Sequence, residues 1–277
     1  MDMNASPARS LPFRRGAAGR FVDSLLQKGR VAFALEELVL DTGLSPIAAL
    51  RQLSRLGPAV RRVAPRQAFF LVVSPEYRAL GAPSPAAWLD DYFRWLGHPW
   101  YLALQSAAAE FGSPPQAIQE TQVMTDRPRR PLRLGRIRIR FFVKRSLSST
   151  PTQPVSGAPA PLQASTPEAT AVDLVRYARR IGGISAAVET LEPFAGRLLR
   201  KPLSLALDAD GGIPTAQRLG FVLEALRRRD LAAFMRQRLP ARLTPVPLDR
   251  ALPASARWPA VNAKRWGILE GGEDASR

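Results

Sequence analysis

The sequence has no cysteine and a single histidine, His98, in 277 residues. Without cysteine there is no disulfide scaffold, no thiol nucleophile and no thiolate zinc site. His98 stands next to Pro99 with no Ser or Cys motif nearby, so it reads as a helix-start residue packing at a domain junction. No apolar run reaches the length that spans a bilayer, and "MDMNASPARSLPFRRGAAGR" lacks the continuous apolar core of a signal peptide. The expected location is therefore cytoplasmic, with no membrane partner. Phosphate-cradling G-x-x-x-x-G-K-[ST], H-E-x-x-H and G-x-S-x-G patterns are missing as well. "LDADGGI" (207–213) offers Asp208 and Asp210 but not the oxygen set of a calcium loop, and it reads as a plain turn. No enzyme activity, metal or cofactor is expected.

Acidic residues are also scarce, 23 against 40 Lys plus Arg, for a net charge of +17. The excess is about five to six charges in each of residues 1–96, 97–146 and 147–277, so no single basic tail accounts for it. Such a chain concentrates near polyanions. At 46% hydrophobic residues it also has material for a proper core, in one large domain or two ordinary ones.

The most informative stretch is "DTGLSPIAALRQLSRLG" (41–57). Ser45 suits an N-cap and Pro46 the first helical position, which predicts a helix to about Leu56. Ala49, Leu50, Leu53 and Leu56 share one arc of the wheel. Ile47, Ala48, Arg51, Gln52, Ser54 and Arg55 share the other. Small residues in the first turn and bidentate donors after it suit a helix that enters a DNA major groove. The segment before it, "VAFALEELVLDTG", predicts a helix starting near Ala34, with Phe33 and Leu38 at hydrophobic-staple spacing and no good cap. "RFVDSLLQKG" (20–29) predicts another, stopped at Gly29. After the opening stretch, "AVRRVAPRQAFFLVV" (59–73) predicts a hairpin of strands 59–63 and 68–73 with Arg61, Arg62 and Arg66 near its tip. Three helices followed by a basic hairpin form a winged helix-turn-helix, expected over residues 18–82 after a flexible 1–17. "SPAAWLDDYFRWLG" (84–97) predicts a helix capped by Ser84 that connects two domains, placed at 83–97.

Further on, "HPWYLALQSAAAEFG" (98–112) predicts a helix with Pro99 in its first turn, and "QETQVMT" (119–125) a strand. In "RIRIRFFVKR" (136–145) strict alternation puts Arg136, Arg138 and Arg140 on one strand face. Nine Lys or Arg fall within 127–145 with no acid among them. That face is either merely solvated or a polyanion or partner surface. "SLSSTPTQPVSGAPAPLQAST" (146–166) predicts two irregular edge strands around "SGAP", and Ser165 with Glu168 predicts a capping box for the next helix. "ISAAVETLEPFA" and "TAQRLGFVLEALRRRDLAAFMRQRL" predict further helices. Trp258 and Trp266, in a basic tail at 241–277, read as docking anchors. The fold class expected is α/β (α+β), a winged helix-turn-helix plus a larger mixed domain at 98–240.

The chain resembles the AbiEi-type antitoxins of type IV toxin–antitoxin systems over most of residues 18–240. The likeness is carried by "FALEELVLDTGLSPIAALRQLSRL" with its hairpin, "PWYLALQSAAAEFG" and "STPEATAVDLV". The resemblance implies autorepression, through binding of double-stranded DNA at repeats in the chain's own promoter. It also implies that the C-terminal domain counteracts a nucleotidyltransferase-like toxin. Positions matching the family's DNA contacts are Ser45, Ile47, Ala48, Arg51, Gln52 and Arg55, with Arg61, Arg62 and Arg66 on the wing. Two positions depart from the pattern: Ala34 stands where a Thr or Ser cap is common, and "APRQ" lacks the usual Gly of a wing turn. The alternative is an interaction protein whose basic C-terminal domain binds a toxin or RNA, with only non-specific DNA binding.

Overall fold

The structure is a computed structural model of the chain, described for residues 16–114, 120–210, 212–248 and 261–269. In chain order its elements begin with α1 (Ala17–Gln27), β1 (Ala32–Ala34), α2 (Leu35–Thr42), α3 (Pro46–Arg55), β2 (Val60–Arg62) and β3 (Phe69–Val72). Next come α4 (Leu89–Leu96), β4 (Trp100–Leu102), α5 (Leu104–Ala109), β5 (Glu120–Thr125), β6 (Leu132–Leu134), β7 (Ile137–Val143), β8 (Thr152–Pro154) and β9 (Gln163–Ser165). The remainder is α6 (Pro167–Arg176), α7 (Gly183–Leu191), α8 (Arg200–Asp210), α9 (Ile213–Ala225), α10 (Arg229–Arg238), β10 (Val246–Pro247), α11 (Ala263–Trp266) and β11 (Ile268–Leu269). The architecture is α+β, as the sequence predicts. It divides into two compact units, one holding the chain up to His98 together with Arg130–Ile139 and Gly157–Pro161. The other holds Pro99–Arg129, Arg140–Ser156 and the chain from Leu162.

In the first unit, α1, α2 and α3 enclose a core of Phe21, Val22, Leu25, Leu38, Ala49 and Leu53. Phe33 and Leu38 are both buried in it, as the staple spacing requires. Ala34 caps α2 with extended backbone and no side-chain bond, and Gly43 ends the helix at φ 66. A left-handed stop of this kind suits glycine because it has no Cβ to clash. The sequence does not predict β1. Residues 32–34 pair antiparallel with Phe69–Leu71, giving a three-stranded sheet in the order β1-β3-β2. Phe33 there stacks on Phe70 and meets the edge of Phe21, so ring packing, not local propensity, decides the strand.

The predicted connecting helix at 83–97 is two pieces. A 3-10 turn at Pro85–Ala87 is followed by α4, and Ser84 makes no side-chain cap bond. Trp88 breaks the run at φ −146, with its indole N–H bonded to Pro83. Tyr92 and Trp95 pack on Phe69 of β3, and Tyr92 donates to Gln67 at 2.9 Å. The helix therefore groups with the first unit. His98 follows it, its N–H bonded to Phe93 O at 3.2 Å, and it starts no helix.

The larger sheet has six strands in the order β6-β7-β5-β4-β9-β8, with β4 parallel to β9 and the predicted edge hairpin present as β8–β9. Residues 100–102 form a strand where a helix is predicted, because Trp100, Tyr101 and Leu102 pair with Val123–Thr125. The helix begins only at Leu104. At α6 the cap is Thr166, one residue after the predicted Ser165, because Pro167 occupies the first helical position. Glu168 closes no capping box; its carboxylate accepts the Leu199 N–H at 2.9 Å. The long helical run at 215–239 breaks between α9 and α10, where Arg227 adopts φ 60. The "LDADGGI" turn is not one at Asp208, which lies inside α8 ion-paired to Arg238. Trp266 anchors the tail as predicted: it is fully buried and packs on Gly220. Trp258 lies outside the described residues.

Candidate nucleic-acid interface

Ser45 positions α3. Its hydroxyl accepts the Ala48 N–H at 3.3 Å, and Pro46 follows at the first helical position. Ala49 and Leu53 are buried, so the helix can rotate only slightly about its axis, and the opposite arc faces out. Ile47 is 66% exposed, an unusual position for an isoleucine in a folded chain. Arg51 and Arg55 are exposed and make no ion pair or side-chain hydrogen bond with the described residues, while Ala48 is half-buried. Gln52 differs from its neighbours. Its Oε1 accepts the Ala18 N–H at 3.0 Å, which satisfies one of the orphan donors in the first turn of α1. A Cβ at Gly16 would come within 2.7 Å of the same oxygen. Gln52 thus ties α3 to α1, a role that sequence spacing does not reveal because the partner lies 34 residues away.

The hairpin β2–β3 follows directly. Val60–Arg62 pair with Phe70–Val72, and the Val63 N–H bonds to Phe69 O at 3.0 Å. At its tip Arg66 adopts φ 65, taking without a glycine the left-handed position that "APRQ" must supply. Arg66 is exposed there. Arg62 lies over the Phe70 ring with its guanidinium carbon 5.1 Å from the centroid, and Arg61 donates from Nη1 to Gly81 O at 3.1 Å. Arg61 and Arg62 are thus held in place by the fold, whereas Arg66 is held only through its backbone.

Of the three arginines predicted on one face of 136–145, Arg138 and Arg140 keep the alternation along β7 and Arg136 does not. Arg136 lies in the turn between β6 and β7, not on a strand. Arg138 faces Arg133 across the hairpin, a partner the sequence reading misses because it assigns no strand at 132–134. Arg140 is partly compensated: Nη1 lies 3.8 Å from a Glu120 carboxylate oxygen, and the guanidinium sits over Phe142.

The second unit has a buried charge centre that the sequence reading also misses. Lys144 donates to Asp173 at 2.6 Å, with side chains 1% and 0% exposed. Tyr101 donates to the second carboxylate oxygen at 3.0 Å. Burial, and then the neighbouring Asp173 carboxylate, push the Tyr101 phenol pKa up, so it stays a donor at any ordinary pH. The three side chains pin β4, the end of β7 and α6 to one another. Nearby, Arg176, Arg179 and Arg218 help line an open cavity of about 210 Å³. Among the described residues no group of three His, Asp or Glu could hold a metal, and no helix is long and apolar enough to cross a membrane.

Residues 101–225, which include Tyr101, Lys144 and Asp173, match the family model of the AbiEi antitoxin C-terminal domain. In fold the chain is similar to the crystal structure of the RV2827C protein from Mycobacterium tuberculosis. The TM-score is 0.65 over 96% of this chain and 95% of that one, at 19% identity. No curated protein matches. Over residues 101–225 the chain is therefore similar to the AbiEi family of antitoxins.

Proposed function

We infer that this antitoxin represses its own operon, binding the promoter through its first unit while the second counteracts a nucleotidyltransferase-like toxin. The order α1-β1-α2-α3-β2-β3 with sheet order β1-β3-β2 supports reading the first unit as a winged helix-turn-helix, with α3 as recognition helix and β2–β3 as wing. The observation that carries the reading is the outer face of α3, where exposed Ile47 stands in the capped first turn and exposed Arg51 and Arg55 follow it. Ile47 suits apolar contact with a thymine methyl, and Arg51 and Arg55 suit the paired acceptors of guanine. Gln52 drops out as a bidentate adenine reader because its carbonyl oxygen is engaged; it positions α3. Ser45, at the helix start, and the wing residues Arg61, Arg62 and Arg66 serve the phosphate backbone.

The test is an anisotropy titration against the chain's own upstream region and a scrambled duplex of equal length, at two salt concentrations. Operator binding that stays well above scrambled binding at the higher salt is expected. Equal, steeply salt-sensitive binding to both would leave only electrostatic adhesion. The toxin-directed role rests on the likeness of residues 101–225 to the AbiEi antitoxin domain. Both roles are those of a protein acting in the cytoplasm, beside its own gene.

A further inference from the structure

The hairpin β6–β7 comes from a stretch expected in the C-terminal domain, yet residues 130–139 group with the first unit. Its two-residue loop is Gly135–Arg136, with Gly135 at φ 65. That loop is docked at close quarters. A Cβ at Gly135 would stand 2.3 Å from Leu80 O and 2.8 Å from Gly81 Cα. A Cβ at Gly81, itself at φ 86, would stand 2.8 Å from Gly135 Cα and 2.9 Å from Arg61 Nη1. The Arg136 N–H donates to Leu80 O at 2.8 Å, and Arg61 donates to Gly81 O at 3.1 Å. One packed junction thus joins the loop of β6–β7 to the side chain of Arg61 on β2.

The polar face of this hairpin carries an unresolved repulsion. Leu132, Leu134 and Ile139 are buried, and Arg133 and Arg138 stand exposed and directly opposite each other. Like charges in that register destabilise a hairpin. Neither arginine, nor Arg136 in the loop, makes an ion pair or side-chain hydrogen bond with the described residues, whereas Arg140 has Glu120. A backbone anchored by glycine contacts and carrying three uncompensated guanidiniums suits a row of external anions. Continuity with Arg61 selects the phosphates of the duplex that the first wing would grip. We propose that β6–β7 is a second wing, and that Arg133, Arg136 and Arg138 extend the DNA footprint beyond that of α3 and β2–β3.

This proposal rests on the duplex-binding reading of the first unit. The experiment uses the full chain, the triple variant R133Q/R136Q/R138Q and a charge-matched control, K201Q/R229Q/R242Q. Each is titrated from 50 to 200 mM salt on a duplex from the chain's own upstream region and on a scrambled one, with hydroxyl-radical footprinting. Losing three phosphate contacts should lower the salt slope by about 2 to 3, which reduces the affinity lost over that fourfold salt range by roughly thirty-fold. The protected stretch should shorten while the operator-to-scrambled ratio holds, and the control should change the slope by less than one. Removing like charges should leave the melting temperature unchanged or higher, so misfolding would be visible. Triple and control variants with equal slopes and footprints would overturn the proposal. So would unaltered DNA binding with lost protection against the toxin, which would assign the hairpin to a protein partner. If the unaltered chain bound neither duplex, the helix-turn-helix reading itself would fail and the second wing with it. A chain that still discriminated operator from scrambled DNA while the triple variant behaved like the control would sink the second wing alone.

Discussion

Residues 1–96 and 147–277 carry nearly the same excess of positive charge, about five and six, but use it differently. On α3, Arg51 and Arg55 point outward with no partner among the described residues. Within residues 147–277 Arg265 meets Glu224 at 3.3 Å and Arg228 meets Asp230 at 2.9 Å, and Asp173 seals Lys144, which lies just before that stretch. Arg228 also donates to the carbonyls of Ala195 and Leu198, holding the turn before α8. Charge count therefore says little about binding. What distinguishes an interface is charge that the fold orients and leaves uncompensated.

The comparison breaks most sharply at the buried pair. Lys144→Met, or Asp173→Asn, leaves one charged or polar partner stranded in the core and should cost about 3–5 kcal/mol in denaturant unfolding. DNA binding measured on the folded fraction should not change. A cost under about 1 kcal/mol would mean that the pair is not sealed from water. Next in size is Gly220→Ala. In an ordinary helix interior this change is favourable, but here the new Cβ would lie 1.9 Å from a ring carbon of Trp266. Overpacking should cost about 1–3 kcal/mol and expose Trp266, read as a red-shifted tryptophan emission. An unshifted spectrum and higher stability would contradict that packing.

On the outward-facing side the effects belong to binding and not to folding. Arg51→Ala should cost about 1–3 kcal/mol on the operator and relax preference at one base pair, with no change in melting temperature. Arg62→Ala should instead weaken operator and random DNA alike and lower the salt slope by about one. Equal losses on both duplexes for both variants would remove Arg51 as a base reader. The smallest effect is expected at the wing tip. Arg66→Gly relieves a left-handed arginine and should leave stability unchanged or raise it by about 1 kcal/mol, even as one phosphate contact goes. A clear loss of stability would show that the Arg66 side chain contributes more than its backbone strain costs.

Much of the first unit is legible because its signals are local. Ser45 with Pro46, Gly43 after α2 and the alternation of 59–73 each act within a few residues, and α2, α3 and the β2–β3 hairpin lie where these signals put them. The predicted start of α6 is off by one because "STP" offers two hydroxyl caps and the proline's position decides between them. Strands β1, β4 and β6 are three residues each, too short for periodicity to register, and exist through pairing with distant partners. Among the candidate contacts, the outward arc of α3 is readable from the wheel. The engagement of Gln52 by Ala18, the pairing of Arg133 opposite Arg138, and the Lys144–Asp173 pair are not.

By itself the sequence determined where α2 and α3 stop and start, which face of α3 is apolar, and that the chain as a whole is basic. Caps, turns and helical periodicity act over one or two turns of chain, so neighbours in sequence suffice to set them. Tertiary structure decided which cations remain available. Compensation depends on what stands within a few ångströms, and Glu120, Ala18, Leu80 and Asp173 are brought to their partners only when the strands pair and the helices close over them.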